Sequence, residues 1–144
     1  MDSVDLEIIK MLQENGRMSH EEMGRRLNLS RPSIHQRVKK LEADGVIRGY
    51  RALIDWSKLG SGIAALISVR LTKKKDREVT DLLLSLDLPY THVEECHRVA
   101  GEWCMMIKLR SDTPQTISKV LDAIYTVEGV TGTSTTFILN TTYE

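Results

Sequence analysis

The sequence predicts an α+β protein built in two parts, an all-helical N-terminal part and a mixed C-terminal part. Apolar residues recur with the 3.6-residue period of amphipathic helices up to about residue 45, and strand-like alternation begins near residue 62. The 144 residues are 41% hydrophobic and 28% charged, which is typical of a soluble globular protein and excludes a largely disordered chain. No apolar run reaches the roughly 18 residues needed to cross a bilayer, and the acidic start of the chain does not have the layout of a secretory signal.

The first predicted helix runs from about Ser3 to Glu14. Val4, Ile8 and Met11 lie at i, i+4 and i+7, so they form one buried stripe along it. Gly16 is expected to end the helix, because glycine accepts the left-handed conformation that follows many helix ends.

The second predicted helix has an explicit start signal. Ser19 and Glu22 have the S-x-x-E spacing of a capping box, in which each side chain satisfies a backbone donor of the other residue. Met18 and Met23 flank this box at the positions of a hydrophobic staple. The helix is expected to end near Leu27, which leaves room for only a tight turn before the next one.

The third predicted helix begins after Ser30 as N-cap and buries a stripe made of Ile34, Val38 and Leu41. Gly45 is expected to close it, with Val46 packing back on Leu41 in a Schellman ending. The following VIRGYRALI segment predicts two short extended pieces bent at Gly49, a small wing. The first domain is therefore assigned to residues 1–52.

Positive charge is concentrated in one block of this domain. The whole chain has 20 basic and 20 acidic residues, a net charge of zero. Residues 24–51 nevertheless hold eight basic and two acidic residues, a net of +6, whereas residues 1–23 carry −4 and residues 52–144 carry −2. Such a block has two interpretations, a solvated helix face or a surface for nucleic acid, and local structure decides between them.

Residues 19–38 have the layout of a helix-turn-helix, whose second helix enters the major groove of DNA. Gln36, Ser33 and His35 are candidates for base edges, because their side chains can donate or accept hydrogen bonds there. Arg31, Arg37, Lys39 and Lys40 are candidates for phosphates, and an arginine also suits guanine. The candidate set is completed by Ser19, Ser30, Arg48 and Arg51. The alternative is a three-helix packing unit with a solvated basic face.

The second part begins after a predicted linker, residues 53–61, and extends over residues 62–144. Alternation predicts a strand over residues 62–71, whose apolar face consists of Ile63, Ala65, Ile67, Val69 and Leu71. A helix follows and ends before Pro89. Its inward face consists of Val79, Leu82, Leu83 and Leu86.

Two further strands, 92–99 and 103–110, are predicted to form a hairpin that turns at Ala100 and Gly101. Asp112 is expected to cap a helix, and a long Thr-rich strand covers residues 130–143. That helix faces inward with Ile117, Val120, Leu121 and Ile124. The order β-α-β-β-α-β is that of the ferredoxin-like fold. Two helices then cover one sheet face, and the uncovered face is predicted to be apolar enough to meet a second copy.

No nucleotide-binding loop, zinc-protease motif or nucleophile elbow occurs, so the sequence indicates no enzyme and no cofactor. His92, Cys96, His97 and Cys104 suggest a metal site, but His92 and Cys96 are roughly 13 Å apart along a strand. The hairpin register, which the sequence leaves open, determines whether Cys104 lies opposite Cys96 or His97. The turn at residues 100–103 and the hydroxyls of residues 133–136 could form a small-molecule pocket, or an ordinary surface turn and strand.

The string SHEEMGRRLNLSRPSIHQRVKKLEADGVIRGYRALID resembles the helix-turn-helix and wing of the Lrp/AsnC (feast/famine) regulators. The VAGEWCMMIKL hairpin and the last strand resemble the amino-acid-sensing domain of that family, so the likeness spans essentially the whole chain. It implies a bacterial or archaeal, cytoplasmic, nucleoid-associated transcription regulator that binds double-stranded DNA. It also implies a homodimer that assembles further, commonly to an octamer, and that bends or wraps DNA.

The resemblance also implies an amino acid as effector, bound near the hairpin and the last strand. The positions carried over are Gly101, Glu102, Trp103, Cys104, Thr133, Thr135 and Thr136. The hairpin of the family typically reads G-x-x-D, with the Asp placed for the amino group of the ligand, and here that position is Cys104. Either Glu102 substitutes for it or the response is lost. The alternatives are an effector-independent architectural DNA-wrapping protein and an amino-acid-handling enzyme.

Overall fold

The computed structural model describes residues 1–142, and the chain divides into two compact units, Met1–Leu53 and Ile54–Glu144. The segment predicted as a linker, residues 53–61, belongs to the second unit from Ile54 onward. It contains a 3-10 helix, Trp56–Leu59, and the buried hydroxyl of Ser61 donates to the carbonyl of Tyr90 at 2.8 Å. In the part of the chain described, no helix is long and apolar enough to cross a bilayer.

The first unit consists of three helices, α1 (Ser3–Glu14), α2 (His20–Leu27) and α3 (Arg31–Ala43). Their bounds agree with the sequence prediction. One apolar cluster joins them, and its buried members are Ile8, Met18, Met23, Ile34, Val38 and Leu41. The predicted stripes of α1 and α3 therefore both face this core.

Two helix-end predictions were wrong in detail. Gly16 does not adopt the left-handed conformation; α1 ends at Glu14, and its C-cap Asn15 is extended at φ −146°. The capping box of α2 is only half made, because Ser19 accepts the Glu22 N–H at 3.1 Å while the Glu22 carboxylate accepts from Arg26 at 2.6 Å. The charged partner one turn away competes successfully for the carboxylate.

The Schellman ending of α3 is confirmed. Gly45 has φ +71°, Val46 N–H donates to the Leu41 carbonyl at 2.9 Å, and Gly45 N–H donates to Glu42 at 3.0 Å. The predicted wing, in contrast, contains no strand anywhere in residues 44–62. A hairpin this short is marginal without a sheet to join, and the segment is instead anchored by the Tyr50 hydroxyl, which donates to Glu42 at 2.9 Å.

The second unit is a four-stranded antiparallel sheet with two helices, in the predicted β-α-β-β-α-β order. The elements are β1 (Ile63–Leu71), α4 (Asp76–Ser85), β2 (His92–Arg98), β3 (Met105–Ser111), α5 (Pro114–Tyr125) and β4 (Val130–Ile138). The strand order across the sheet is β2-β3-β1-β4. Helices and sheet share a core built from Ala65, Ile67, Val69, Val79, Leu83, Met105, Ile107, Leu109, Ile117, Val120 and Ile124.

Three boundaries of this unit differ from the prediction. The hairpin loop is longer than a two-residue turn, because β2 ends at Arg98 and β3 begins only at Met105. The N-cap of α5 is Thr113, whose hydroxyl accepts the Thr116 N–H at 3.1 Å, and not Asp112. Strand β4 ends at Ile138, and the predicted end of that strand at Tyr143 lies outside the described residues.

The sheet face away from the helices is more polar than expected. It carries Ala64 and Leu66, but the same strand pairs place Lys108 and Arg110 beside them. Glu94 lies between these two cations, 3.4 Å from Lys108 Nζ and 3.2 Å from Arg110 Nε. A strand period of two fixes which residues share a face, whereas the β2 bulge next to Glu94 was not visible in the sequence.

Candidate nucleic-acid interface and effector region

The turn between α2 and α3 is held closed by backbone contacts. Asn28 ends α2 in the left-handed conformation at φ +53°, and Leu29 N–H donates to the Gly24 carbonyl at 2.9 Å. A Cβ on Gly24 would lie only 2.5 Å from the Leu29 carbonyl oxygen, so the turn requires glycine in α2. Gly24 is not among the residues predicted from the sequence to be important, although a glycine inside a helix is a signal of close packing.

The N-cap serines fix where the two helices begin. The Ser19 hydroxyl accepts the Glu22 N–H and the Ser30 hydroxyl accepts the Ser33 N–H at 3.3 Å. Their side chains are therefore already engaged in capping, so the geometry gives Ser19 and Ser30 a role in orienting the helices.

The outward face of α3 lies opposite its buried stripe and presents Gln36, Lys39 and Lys40, all exposed. Ser33 is half-buried on one flank of this face. His35 lies on the other flank, where its ring packs on His20 of α2 with centroids 5.3 Å apart. Of the three base-edge candidates, Gln36 is thus the one on the outward face itself, and Ser33 and His35 border it.

The eight basic residues of the 24–51 block are not equivalent. Arg26 pairs with Glu22 at 2.6 Å, and Arg37 pairs with two aspartates of α1. The remaining six are exposed and form no ion pair with any residue between 1 and 142. They are Arg25, Arg31, Lys39, Lys40, Arg48 and Arg51.

Arg37 lies between α3 and the start of α1. Its Nη1 donates to both carboxylate oxygens of Asp2, at 2.8 and 3.0 Å, and to Asp5 Oδ1 at 2.7 Å. The pKa of Asp2 is lowered first by the backbone N–H of Asp5 and then by Arg37, and the pKa of Asp5 is lowered in the same way by Asp2 and Arg37. Both carboxylates raise the pKa of Arg37. The guanidinium therefore has its charge compensated within the unit.

In the second unit, the hairpin loop approaches Arg70, a cation that is not among the site residues predicted from the sequence. Arg70 of β1 forms an ion pair with Glu102, and its guanidinium carbon lies 4.7 Å from the centroid of the Trp103 ring. Gly101 has φ +133° and open space around its Cβ position. Glu102 and Trp103 are thus brought together around Arg70. The signal available in the sequence was one charged residue, Arg70, in a strand whose other residues are apolar apart from Ser68.

The other predicted effector residues are separated from this cluster. The Cys104 thiol is engaged with the backbone of Leu71, donating to its carbonyl and accepting its N–H, each at 3.4 Å. Thr133 and Thr135 pair with core residues of β1 and lie on the helix-covered face, where the Thr133 hydroxyl donates to Tyr125 at 3.3 Å. Thr136 lies on the opposite face. The predicted set is therefore divided between two faces of β4.

The cysteines are both free thiols, and the hairpin register pairs Cys96 with Ile107. Cys104 lies opposite neither Cys96 nor His97, because its carbonyl accepts the Val99 N–H at the base of the loop. Partial burial raises the pKa of Cys96. Among the residues described, no group of three or more His, Cys, Asp or Glu side chains could hold a metal ion.

The first unit thus presents a helix-turn-helix with an exposed polar face and six exposed cations that form no ion pair within residues 1–142, and the second is a separate α+β sheet domain. This combination defines the class of two-unit helix-turn-helix DNA-binding regulators. Residues 1–48 match the family model described as winged helix-turn-helix DNA-binding, and residues 64–144 match the Lrp/AsnC ligand binding domain. The chain belongs to the Lrp/AsnC family of transcriptional regulators.

Individual relatives agree over nearly the full length. The HTH-type transcriptional regulator FL11 of Pyrococcus abyssi is 32% identical, over 98% of this chain and 91% of its own. The structure of Bacillus subtilis LrpC has a TM-score of 0.83 at 28% identity, covering 98% of this chain and 96% of that one. The complex of the Neisseria meningitidis regulator NMB0573 with L-Met has a TM-score of 0.85 at 29% identity, covering 100% and 93%.

Proposed function

We propose that this regulator binds duplex DNA by inserting α3 into the major groove, with Gln36 reading base edges and Ser33 and His35 bordering the contact. The observation that carries the proposal is the separation of charge within the first unit. Lys39 and Lys40 lie on the outward face of α3, and residues 24–51 add four more exposed cations that form no ion pair within residues 1–142, in a chain of zero net charge. Phosphates are assigned to these free cations, which include Arg31, Lys39, Lys40, Arg48 and Arg51.

Gln36→Ala tests base readout. The glutamine amide can bond an adenine edge bidentately, so its removal should relax base preference at one position of each half-site, by about 1–3 kcal/mol of discrimination. Binding to unrelated duplex should stay unchanged, because Gln36 carries no charge. Footprinting and gel shifts on the preferred site and its single-base variants measure this. Gln13→Ala, which removes an exposed glutamine of α1, is the matched control. Uniform weakening across all sequences would contradict the role given to Gln36.

The second unit is proposed to bind an amino acid at the loop that carries Glu102 and Trp103. Arg70 offers a guanidinium that can bind the carboxylate of the ligand, and Glu102 offers a carboxylate that can bind its ammonium group. An amino-acid zwitterion therefore complements the two charges of the Arg70–Glu102 ion pair. Because the Cys104 thiol already bonds the backbone of Leu71, the amino-group role falls to Glu102. The complex of NMB0573 with L-Met supports an amino acid as the class of ligand.

Glu102→Gln should weaken amino-acid binding by roughly tenfold or more, because a charged hydrogen-bond partner of the ammonium is lost. Isothermal calorimetry of the full chain against the twenty amino acids measures this effect. Glu128→Gln, which uncharges another exposed carboxylate of the same unit, is the matched control. If the unaltered chain binds no amino acid at millimolar concentration, the effector-independent architectural alternative is favoured instead.

We also propose that the chain self-associates through the uncovered sheet face, as a homodimer that assembles further to an octamer. Ala64 and Leu66 supply apolar contact there, and the Glu94, Lys108 and Arg110 cluster supplies charge that a two-fold partner can complement. Sedimentation of the chain as a monomer at micromolar concentration would exclude this. In the cell, such an assembly would act in the cytoplasm on the nucleoid, where it could bend or wrap DNA.

The proposal assigns binding alone to this chain, with no enzymatic step. Partial burial keeps the pKa of the Cys96 thiol above its ordinary value, which disfavours the reactive thiolate, and the Cys104 thiol is engaged with Leu71.

A further inference from the structure

The start of α1 is a preorganised acidic clamp, which we define as Asp2 and Asp5. Each carboxylate is held by the backbone of the other residue: Asp2 Oδ1 accepts the Asp5 N–H at 2.9 Å, and Asp5 Oδ2 accepts the Asp2 N–H at 2.9 Å. These reciprocal bonds make a capping box, so the two carboxylates are oriented by the fold of α1 itself. Little side-chain entropy is then lost when a cation binds between them.

The cation that binds the acidic clamp is Arg37 of α3. Arg37 makes three hydrogen bonds to it, and the Arg37 side chain is only 31% exposed. Its neighbours Lys39 and Lys40 are exposed and unpaired within the described residues. Since Arg37 follows Gln36 by about 100° around the helix, it lies on the flank toward α1 and not on the outward face. One of the cations closest to the base-reading position is therefore neutralised.

We propose that Asp2 and Asp5 withhold Arg37 from DNA phosphates and so limit the sequence-independent attraction of this unit for duplex DNA. A guanidinium already bound to two carboxylates releases no counterions from DNA, so it adds nothing to the sequence-independent attraction. The same three bonds fix the start of α1 against the middle of α3. The acidic clamp thus lowers the affinity for duplex of every sequence by the same factor, while it keeps α3 oriented for base readout. This inference rests on the proposed DNA-binding function.

The test is the salt dependence of binding to an arbitrary duplex, with the full chain. Asp2→Asn with Asp5→Asn removes both charges but keeps side-chain oxygens that can accept the capping bonds. Freed Arg37 should then contact a phosphate, so the slope of log K against log salt should steepen by about 0.9, with about eightfold tighter binding at 0.1 M salt. Adding Arg37→Met to this double variant should cancel both changes. Glu7→Gln with Glu14→Gln, on the same helix, controls for net charge alone.

Arg37→Met in the otherwise unaltered chain is an independent test of the same inference, and it can be carried out even if the asparagine variant fails to fold. The salt slope should remain that of the unaltered chain. A slope flattened by about 0.9 would mean that Arg37 already contacts a phosphate, and would overturn the inference. The inference would also be overturned if Asp2→Asn with Asp5→Asn tightened binding by the same factor in a chain that also carries Arg37→Met. Absence of any duplex binding by the unaltered chain would instead refute the proposed function.

Discussion

Gly24→Ala is expected to disrupt the helix-turn-helix and to weaken DNA binding more than any other single change in the first unit. The new Cβ would lie 2.5 Å from the carbonyl oxygen of Leu29, a backbone atom that cannot rotate away. Overpacking of this kind costs about 1–3 kcal/mol, or more when backbone must move. The strain can be relieved by a shift of α3 against α2, and DNA binding must then reverse that shift at a cost of about 1–3 kcal/mol. This cost corresponds to a roughly 5- to 150-fold loss of duplex affinity.

Urea unfolding followed by circular dichroism, together with gel shifts, measures both consequences. Gly16→Ala is the matched control, because Gly16 is not in a left-handed conformation and its Cβ would meet the Tyr50 ring only at 3.6 Å. This control should change stability by no more than about 0.5 kcal/mol. A Gly24→Ala chain with unaltered stability and affinity would show that the turn can open without loss.

Lys39→Ala with Lys40→Ala is expected to have the largest effect on electrostatic attraction. Both side chains are exposed, unpaired within residues 1–142 and next to the outward face of α3. If each contacts one phosphate, the salt slope should flatten by about 1.8 and affinity should fall about 60-fold at 0.1 M salt. The loss should be the same on all sequences, because phosphates carry no sequence information.

Binding to specific and arbitrary duplex over a range of salt concentrations measures this effect. Lys74→Ala with Lys119→Ala removes two exposed lysines of the second unit that form no ion pair within residues 1–142, and its slope should stay close to that of the unaltered chain. Equal flattening in both double variants would mean that DNA responds to total charge and not to α3. If affinity were lost for one sequence only, these lysines would contact bases and not phosphates.

Local signals in the sequence determined most of the helical elements. The bounds of α1, α2 and α3 follow from apolar stripes and from caps such as Ser19, Ser30 and Gly45, because these depend on residues within one turn of each other. The inward face of β1 followed from its period of two. The residues of the predicted wing do not pair as strands, because whether a short extended segment pairs depends on neighbours that are distant in sequence.

The proposed functional regions show the same division. Residue type and spacing identified the outward face of α3 with Gln36, Lys39 and Lys40, as well as the loop with Glu102 and Trp103. The sequence alone could not show that Glu102 pairs with Arg70, or that Thr133 and Thr136 lie on opposite faces of β4. Those relations are set by strand register and by a loop that spans two strands.

By itself, the sequence determined the two-part architecture, the concentration of positive charge in residues 24–51 and the family resemblance. These depend only on composition, local periodicity and short motifs. Only the tertiary structure decided which charges are free. Arg37 belongs to the basic block in the sequence, yet in three dimensions it is compensated by Asp2 and Asp5, more than 30 positions away. The reason is physical: a formal charge is a property of a residue, whereas the field it presents to DNA depends on the partners that folding brings within hydrogen-bond distance.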